Sequence, residues 1–407
     1  MKALDPGLAR SALGVSQSRI RELADIAMSM PGVLRLYFGE SNLPTPQFIK
    51  DAALRALEEG YTFYTENAGL PSLRAAIARK YAEIHGVGLD PASRIAVTAS
   101  GVQALNVSIR TVLDPGDEAI VLTPAWPNGS AIIGMCSARA LQIPHSLVDG
   151  RYAIDFDALE AALSPRTRLL LYTSPSNPLG WVATGADQDR LLEICRRSGL
   201  WLLADEVYER LYYGGPVAPS ILRKTSPDDA IIVVQSFSKS YCMTGWRLGW
   251  LESFSKSYCM TGWRLGWLVS REDLVRKATQ LNEFIVSHAA SMTQKAAEAA
   301  LAQGEAGIAA LVARLRESRD FSRAALERMP GVTVPEPEGA FYLFPRIAGL
   351  ADSFEFCRRL LLEKKVGLAP GVAFGAGGEG SVRICYGADR SVLEPALERL
   401  DEFLRGR

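Results

Sequence analysis

The chemistry in this 407-residue sequence is concentrated in short segments that each follow a run of β-branched or leucine residues. The last of them reads Ser236-Phe237-Ser238-Lys239, followed by Gly245-Trp246-Arg247. A lysine at the end of a buried strand is costly as an ammonium and is relieved when it is neutralised or used covalently, as in a Schiff base with an aldehyde. Taken alone, the same lysine reads as a solvated surface charge. Upstream, Asp205-Glu206-Val207-Tyr208 sets an acid at a strand end with a phenol three residues on. A buried acid needs a partner, which a cationic pyridine nitrogen would supply. Asn177, in Ser176-Asn177-Pro178-Leu179-Gly180, offers a side-chain amide to a phenolate oxygen, although Asn-Pro and Gly also make an ordinary turn. Trp126, in Pro124-Ala125-Trp126, offers a broad face to a planar ring or simply fills a core. Ala99-Ser100-Gly101-Val102 opens a predicted helix, so its N–H groups, hydroxyl and dipole could bind a phosphate, unless Ser100 is only a helix cap.

Such segments need a scaffold that presents successive strand ends along one edge. From about residue 94 to 282, short apolar runs alternate with helical patterns, the signature of parallel strands joined by helices. The predicted strands are Arg94–Thr98, Glu118–Leu122, Arg168–Thr173, Leu200–Ala204 and Ala230–Gln235. The predicted helices lie near Gly101–Leu113, Asp155–Leu163 and Thr184–Ser198. In open α/β sheets ligands bind beyond the carboxyl ends of the strands, where the segments above fall. After Leu281 a long helical region runs to about Met329, followed by strand Ala340–Phe344, helix Asp352–Lys365 and strand Val382–Cys385. The expected division is a large domain over 46–300 and a small one built from 1–45 and 301–407.

Lysine plus arginine balance aspartate plus glutamate at 45 each, with no block of like charge. That argues against nucleic acid or a membrane surface as partner and for a small molecule. No apolar run approaches the roughly 18 uncharged residues of a membrane span, and Met1 to Arg10 lacks the basic-then-apolar plan of a signal peptide, so a cytoplasmic protein is expected. The cysteines (Cys136, Cys195, Cys242, Cys259, Cys357, Cys385) form no Cys-x-x-Cys pair and read as thiols in a reducing compartment, with no metal site.

The run SFSKSYCMTGWRLGWL at 236–251 recurs unchanged at 253–268, after the single spacer Glu252. Structural repeats are longer, more numerous and drift in sequence. Two identical copies point to a recent tandem duplication or to an error in assembling the sequence; without it the chain would have 390 residues and five cysteines.

Taken in order, these segments resemble the fold-type I pyridoxal-phosphate aminotransferases of class I/II, the group with bacterial aspartate and aromatic aminotransferases. The resemblance runs from about Arg35 to Asp389. It includes Gly39-Glu40-Ser41-Asn42, the stretch from Tyr64 to Arg74 with Ala68-Gly69-Leu70-Pro71, and Gly339-Ala340-Phe341-Tyr342-Leu343. It implies an α/β fold, with a mainly parallel sheet of the seven-stranded type, helices on both faces and a smaller α+β domain. The implied reaction moves an amino group between an L-amino acid and a 2-oxo acid. By this resemblance Lys239 would hold pyridoxal 5'-phosphate as a Schiff base and shuttle the substrate proton. Asp205 would pair with the pyridine nitrogen and keep it protonated, making the ring an electron sink. Tyr208 and Asn177 would bind the phenolate oxygen, and Trp126 would stack on the ring.

The phosphate would take Ser100, Gly101, Val102, Ser236 and Arg247, with Ser238 in the same cofactor-binding set and Tyr64 reaching across from a second subunit. Shared sites of that kind imply a homodimer. Gly39, Asn177 and Arg383 would meet the substrate, the Arg383 fork gripping its α-carboxylate; an isolated arginine in Ser381-Val382-Arg383-Ile384-Cys385-Tyr386 would instead read as a surface residue. Val102 stands where a cation is expected in aspartate-preferring bacterial members, which disfavours aspartate. His85, His145 and His288 fall outside the motifs, and none is assigned to catalysis.

The duplication offers a second lysine, Lys256, and a second arginine, Arg264. Asp205 lies 34 positions from Lys239 and 51 from Lys256, while Arg383 lies 144 from Lys239 and 127 from Lys256. The family's upstream spacing resembles the 34 and its downstream spacing the 127, as an insertion between correct flanks would give. Lys239 keeps a feeding strand, Ile231 to Gln235, whereas Lys256 follows Gly249-Trp250-Leu251-Glu252, which favours Lys239; the outgoing strand can come from either copy. Two alternatives stay open: a lyase on the same scaffold, and a member impaired by the extra Trp, Leu, Met and Phe side chains, which expect burial. A transcription regulator would need a winged-helix domain ahead of the matching region, and only some 35 residues precede it.

Overall fold

The computed structural model describes residues 7–39, 43–241 and 265–406. Its centre is a sheet of seven strands: β1 (Ile95–Thr98), β2 (Glu118–Thr123), β3 (Arg139–Pro144), β4 (Thr167–Thr173), β5 (Trp201–Asp205), β6 (Ile231–Ser236) and β7 (Gly266–Ser270). Their order is β1-β7-β6-β5-β4-β2-β3. The run from β3 to β6 is parallel, and β7 lies antiparallel to both of its neighbours. Successive residues of a strand point to opposite faces. Accordingly Ile120, Leu170, Leu202 and Val233 join one core, and Val121, Leu171, Leu203 and Val234 join the other. Both faces are covered, which is why these strands read as continuous apolar runs rather than alternating ones.

Helices Gly101–Val112, Asn128–Met135, Phe156–Ala161 and Gly185–Ser198 lie in the connections. Their starts are legible: Ser100 and Asp155 each accept a hydrogen bond from the N–H three residues on, and Thr184 with Asp187 forms a capping box. The five predicted strands and three predicted helices are all present, with ends shifted by one or two residues. Two strands of this sheet lie outside the five named from sequence. One is β3, an edge strand whose residues are mostly half-buried or exposed. The other is β7, the outgoing strand that the sequence allowed from either copy, which begins inside the duplicated segment.

The second copy supplies β7, and the sheet register gives the reason. Val269, which follows that copy, is fully buried between Ile95 and Val233. Were the first copy in the same register, Glu252 would take the place of Val269. An unpartnered carboxylate among these aliphatic side chains costs several kcal/mol. The incoming strand is selected likewise. To feed Lys256, Gly249 and Trp250 would have to replace Ile232 and Val233, both fully buried in the central strand β6. One substitution leaves a void and the other overpacks.

A second core gathers Phe341, Tyr342, Leu360, Ile384, Tyr386 and Leu397. It contains a three-stranded antiparallel sheet of Tyr342–Leu343, Val382–Cys385 and Ala369–Pro370, and the helices Ser353–Lys364 and Arg390–Arg405. The long helical region resolves into Glu272–Glu283, Ser291–Gln303 and Glu305–Leu326, the last of which reaches this core through Leu311, Leu315 and Leu326. Leu34–Arg35 pairs with Val366–Gly367, and the Leu36 carbonyl accepts from the Cys385 N–H. This carries Tyr37 and Gly39 from the early part of the chain to Arg383 and Tyr342.

Candidate active site

Arg383 is the largest fully buried side chain among the described residues, and a buried guanidinium must be held from several sides. Nη1 donates to Asn177 Oδ1 at 2.9 Å, across 206 positions of sequence, and Nη2 donates to the Tyr37 carbonyl. Nε has no hydrogen-bond partner among the described residues. The guanidinium carbon lies 4.6 Å from the Tyr342 ring centroid, 4.9 Å from Phe374 and 6.0 Å from Trp126, an aromatic enclosure suited to a cation. Phe374 is fixed there because its carbonyl accepts from the Ala125 N–H at 2.9 Å, which ties the 371–378 loop to the Trp126 loop. The surface reading of Arg383 is thereby overturned.

Tyr342 joins three parts of this group. Its hydroxyl is 2.9 Å from that of Tyr208, its ring lies under Arg383, and a β-carbon built on Gly39 would come within 2.0 Å of its hydroxyl oxygen. Residue 39 must therefore be glycine for the early segment to pass. Burial above all, then the neighbouring Tyr208, pushes the Tyr342 phenol well above its ordinary range, so it stays a neutral hydroxyl.

The ends of β5 and β6 form the other side. Asp205 closes β5 and is half-buried, and its carboxylate accepts from the Val207 N–H at 3.3 Å. The sequence argument took Asp205 for the buried acid. The fully buried acid is its neighbour Glu206, because the strand ends at Asp205 and the following turn sends Glu206 inward. Tyr208 sits in that turn, buried with its hydroxyl on Tyr342. β6 runs directly into the helical turn Phe237–Ser240, which contains Lys239, described by its backbone. Ser236 Oγ accepts from the Ser238 N–H at 3.1 Å and donates to the Leu265 carbonyl at 3.3 Å, joining the start of the first copy to the end of the second. Ser238 is buried.

Beside this turn lies the N-terminus of helix Gly101–Val112. Ser100 Oγ caps the Gln103 N–H at 2.9 Å, and the Gly101 and Val102 N–H groups have no hydrogen-bond partner among the described residues. A β-carbon on Gly101 would lie 3.1 Å from the Ser236 β-carbon, and one on Gly266 only 2.4 Å from the Gly101 nitrogen. The helix start and the ends of β6 and β7 thus approach as closely as backbone allows.

The structure brings together Gly39, Trp126, Asn177, Tyr208 and Arg383, and also Ser100, Gly101, Ser236 and Ser238. Tyr64 stands apart, 91% exposed, with its ring 5.6 Å from that of His288. Lys256, Arg247 and Arg264 lie outside the described residues, as do Glu40, Ser41 and Asn42. Tyr342, Tyr37 and Phe374 were not singled out from sequence. Tyr342 had a signal, since it lies in the Gly-Ala-Phe-Tyr-Leu run, but Tyr37 contributes a carbonyl, which no side-chain pattern reveals.

The fold is that of the aspartate aminotransferases: the solved enzyme of Thermotoga maritima matches at a TM-score of 0.87 and 30% identity, over 98% of this chain and 100% of that one. The sequence profile of the family "Aminotransferase class I and II" matches residues 32–253 and 250–400, dividing within the duplicated segment. The chain belongs to that family. It is 32% identical over 402 residues to an aspartate aminotransferase of Pyrococcus horikoshii, covering 98% of this chain and 97% of the relative. It is also 32% identical over 395 residues to aromatic-amino-acid aminotransferase 2 of Thermococcus litoralis, covering 96% of each. The protein is accordingly a pyridoxal-phosphate-dependent aminotransferase.

Proposed function

We propose that amino transfer between an L-amino acid and a 2-oxo acid takes place at the strand-end site described above, with Lys239 as the lysine that holds the cofactor. The observation that carries this reading is Arg383. A wholly buried guanidinium that spends only part of its donor capacity, enclosed by aromatic rings and braced by Asn177, is built to receive a carboxylate. In this reading Arg383 binds the substrate α-carboxylate and Asn177 fixes the plane of the guanidinium.

The donor set fits pyridoxal phosphate. The uncommitted N–H groups of Gly101 and Val102 at a helix start suit a phosphate, with Ser100 and Ser236 beside them. The half-buried Asp205 suits a protonated ring nitrogen, and Tyr208 with Asn177 suits the phenolate oxygen. Trp126 would cover the ring, and Gly39, packed over Tyr342, would close the substrate side. When bound, the cofactor supplies an electron sink for charge that develops at the substrate α-carbon. Lys239 would hold the cofactor and take up the proton released at the substrate α-carbon. Lys239 is favoured over Lys256 because β6 leads directly into its turn, while the alternative would place Gly249 and Trp250 in a fully buried strand.

The same reading includes a homodimer in which Tyr64 completes the phosphate site of the partner. Phe63, Tyr64, Phe284, Ile285 and Val286 are exposed, and Thr65 donates to His288, so the two stretches form one apolar patch of the kind that marks an interface. It also includes a large domain over 46–300, a small domain of 1–45 with 301–407, and a reducing, cytoplasmic setting. The last is supported by Cys136, Cys195, Cys357 and Cys385, none of which is disulfide-bonded. No described helix is long and apolar enough to cross a membrane.

The test is borohydride fixation of the bound cofactor, followed by digestion and mass mapping of the labelled lysine. Label on Lys239 is expected. Label on Lys256 alone would reverse the choice of copy, and absence of label from folded, cofactor-treated protein would overturn the site.

A further inference from the structure

The turn that follows β5 sends its side chains alternately to two sides. Asp205 and Tyr208 face the site, whereas Glu206 and Glu209 point into the protein, where they are 1% and 8% exposed. Two acids so placed, three positions apart in one tight turn, need compensation. Glu209 finds it in His85, whose Nε2 lies 2.8 Å from Oε2. His85 is the last residue of helix Pro71–His85, where the helix dipole also favours positive charge. Glu206 Oε1 accepts from the Ile221 N–H at 2.9 Å, while Glu206 Oε2 and His85 Nδ1 have no hydrogen-bond partner among the described residues.

We propose that His85 is a positioning residue for amino transfer: through its hydrogen bond to Glu209 it holds, from the interior, the turn that presents Asp205 and Tyr208 to the cofactor. The inference rests on the assignment of Asp205 and Tyr208 above and adds the element that fixes them. The contact joins a helix end directly to a turn 124 positions away, whereas Lys80 of the same helix reaches the turn only through Glu305, which Arg210 also holds. Other anchors include the Ser174 N–H on the Asp205 carbonyl, the Glu206 N–H on the Val234 carbonyl, the Ala218 N–H on the Glu209 carbonyl, the Ile221 N–H on Glu206 Oε1, the Tyr208 hydroxyl on that of Tyr342, and Arg210, which is bidentate to Glu305 at 2.6 and 2.9 Å. None of these restrains the Glu209 carboxylate.

Electrostatics support the geometry. Burial opposes charge on His85, but its hydrogen bond to Glu209 and the carboxylates of Glu209 and Glu206 outweigh burial and the nearby Arg223, raising its pKa. Burial and then the charge of Glu209 push Glu206 up to about 8, which favours its neutral form behind the turn. Other polar groups around it include the Tyr81 ring, 5.5 Å from His85, the Tyr172 and Tyr241 phenols, Gln235, the Ser220 hydroxyl, and Lys80, Arg210 and Glu305, which are paired through Glu305. Removing the imidazole leaves the Glu209 carboxylate unpaired and lets the turn rearrange to rehydrate it.

The test is titration of the apoproteins with pyridoxal phosphate, followed by fluorescence, for the parent chain and for His85→Gln, Glu209→Gln, the double variant and Asp205→Asn, from pH 6 to 9. Circular dichroism establishes that each is folded. His85→Gln is expected to raise the Kd about tenfold, the low end of what supporting residues contribute around bound metals. The double variant, with no charge left to rehydrate, should recover most of that loss. A merely structural role would lower the unfolding midpoint of both and leave the Kd and its pH profile at the parent values, which overturns the proposal. A folded Asp205→Asn with parental affinity would instead overturn the assignment of the turn itself, and the role of His85 with it.

Discussion

Replacing Arg383 by lysine keeps the charge and removes the planar fork, and the structure sets the size of the effect. A guanidinium has five N–H donors; one is spent on Asn177 Oδ1 and one on the Tyr37 carbonyl, leaving three for a substrate. An ammonium has three donors on a single atom, and meeting the same two internal acceptors leaves one. The variant therefore loses at least one charge-assisted bond to the substrate carboxylate, worth about 1.5–3 kcal/mol, together with the bidentate alignment. A total near 3 kcal/mol corresponds to roughly a hundredfold loss in kcat/KM. The assay is the amino-donor half-reaction, followed by stopped-flow absorbance with a series of amino acids that differ in side chain. Every donor shares the α-carboxylate, so the loss should be nearly uniform across alanine, leucine, phenylalanine and aspartate. A loss confined to donors with a second carboxylate would refute the reasoning and make Arg383 a reader of side chains.

Gly266→Ala places a β-carbon 2.4 Å from the Gly101 nitrogen and 2.5 Å from the Ser100 carbonyl carbon, backbone that has no room to retreat. We expect a loss of about 2 kcal/mol or more in urea unfolding, together with weaker cofactor binding; parental stability would mean that Gly266 is not the glycine in this slot. Deleting residues 242–258 leaves one intact copy and joins it to Val269 with every described strand sequence unchanged. Its unfolding midpoint is expected at or above that of the parent, since a shorter connection costs less closure entropy, and a variant that folds but binds no cofactor would assign those residues to the site. Glu206 holds its proton in the folded chain up to about 8, whereas the unfolded chain releases it near 4.5, so its contribution makes stability fall as pH rises between those values. Glu206→Gln, which keeps the acceptor for Ile221, should therefore gain stability over the parent progressively from pH 4.5 to 8 and by a constant amount above; equal unfolding midpoints at pH 5 and 8 would show that Glu206 is ionised throughout.

The parts of the fold that were legible in sequence are those where local chemistry and global packing agree. β2, β4, β5 and β6 are buried on both faces, so their residues are unmistakably apolar, and Ser100, Asp155 and Thr184 mark helix starts by the chemistry of capping. β3 failed that test because an edge strand need not be apolar throughout. The site was legible where a strand end hands over to a short motif, as at Asp205 and Ser236. It was not legible where two distant segments meet. Nothing local in Ser381 to Tyr386 indicates that Arg383 is wholly buried, because that follows from Asn177 and Tyr37 arriving from elsewhere. His85 and Glu209 fail in the same way: each is unremarkable in its own helix or turn, and the pair exists only once β5 and helix Pro71–His85 have packed.

The duplicated segment separates these two kinds of information. Its copies are identical, so no local property of the sixteen residues distinguishes Lys239 from Lys256, or Gly266 from Gly249. What differs is the sequence on either side. Ile231 to Gln235 suits the central slot of the sheet, and Val269-Ser270 suits the slot between β1 and β6, where the Ser270 hydroxyl donates to the Ile231 carbonyl at 2.6 Å. Glu252, the only residue between the copies, suits neither. A strand that slips by one copy must bury this carboxylate or leave a glycine and a tryptophan in place of Ile232 and Val233. Either penalty reaches several kcal/mol, comparable to the whole stability of a typical domain. The flanks therefore dictate that β6 leads into the first copy and that β7 comes out of the second, and one spacer residue is enough to make the two copies unequal.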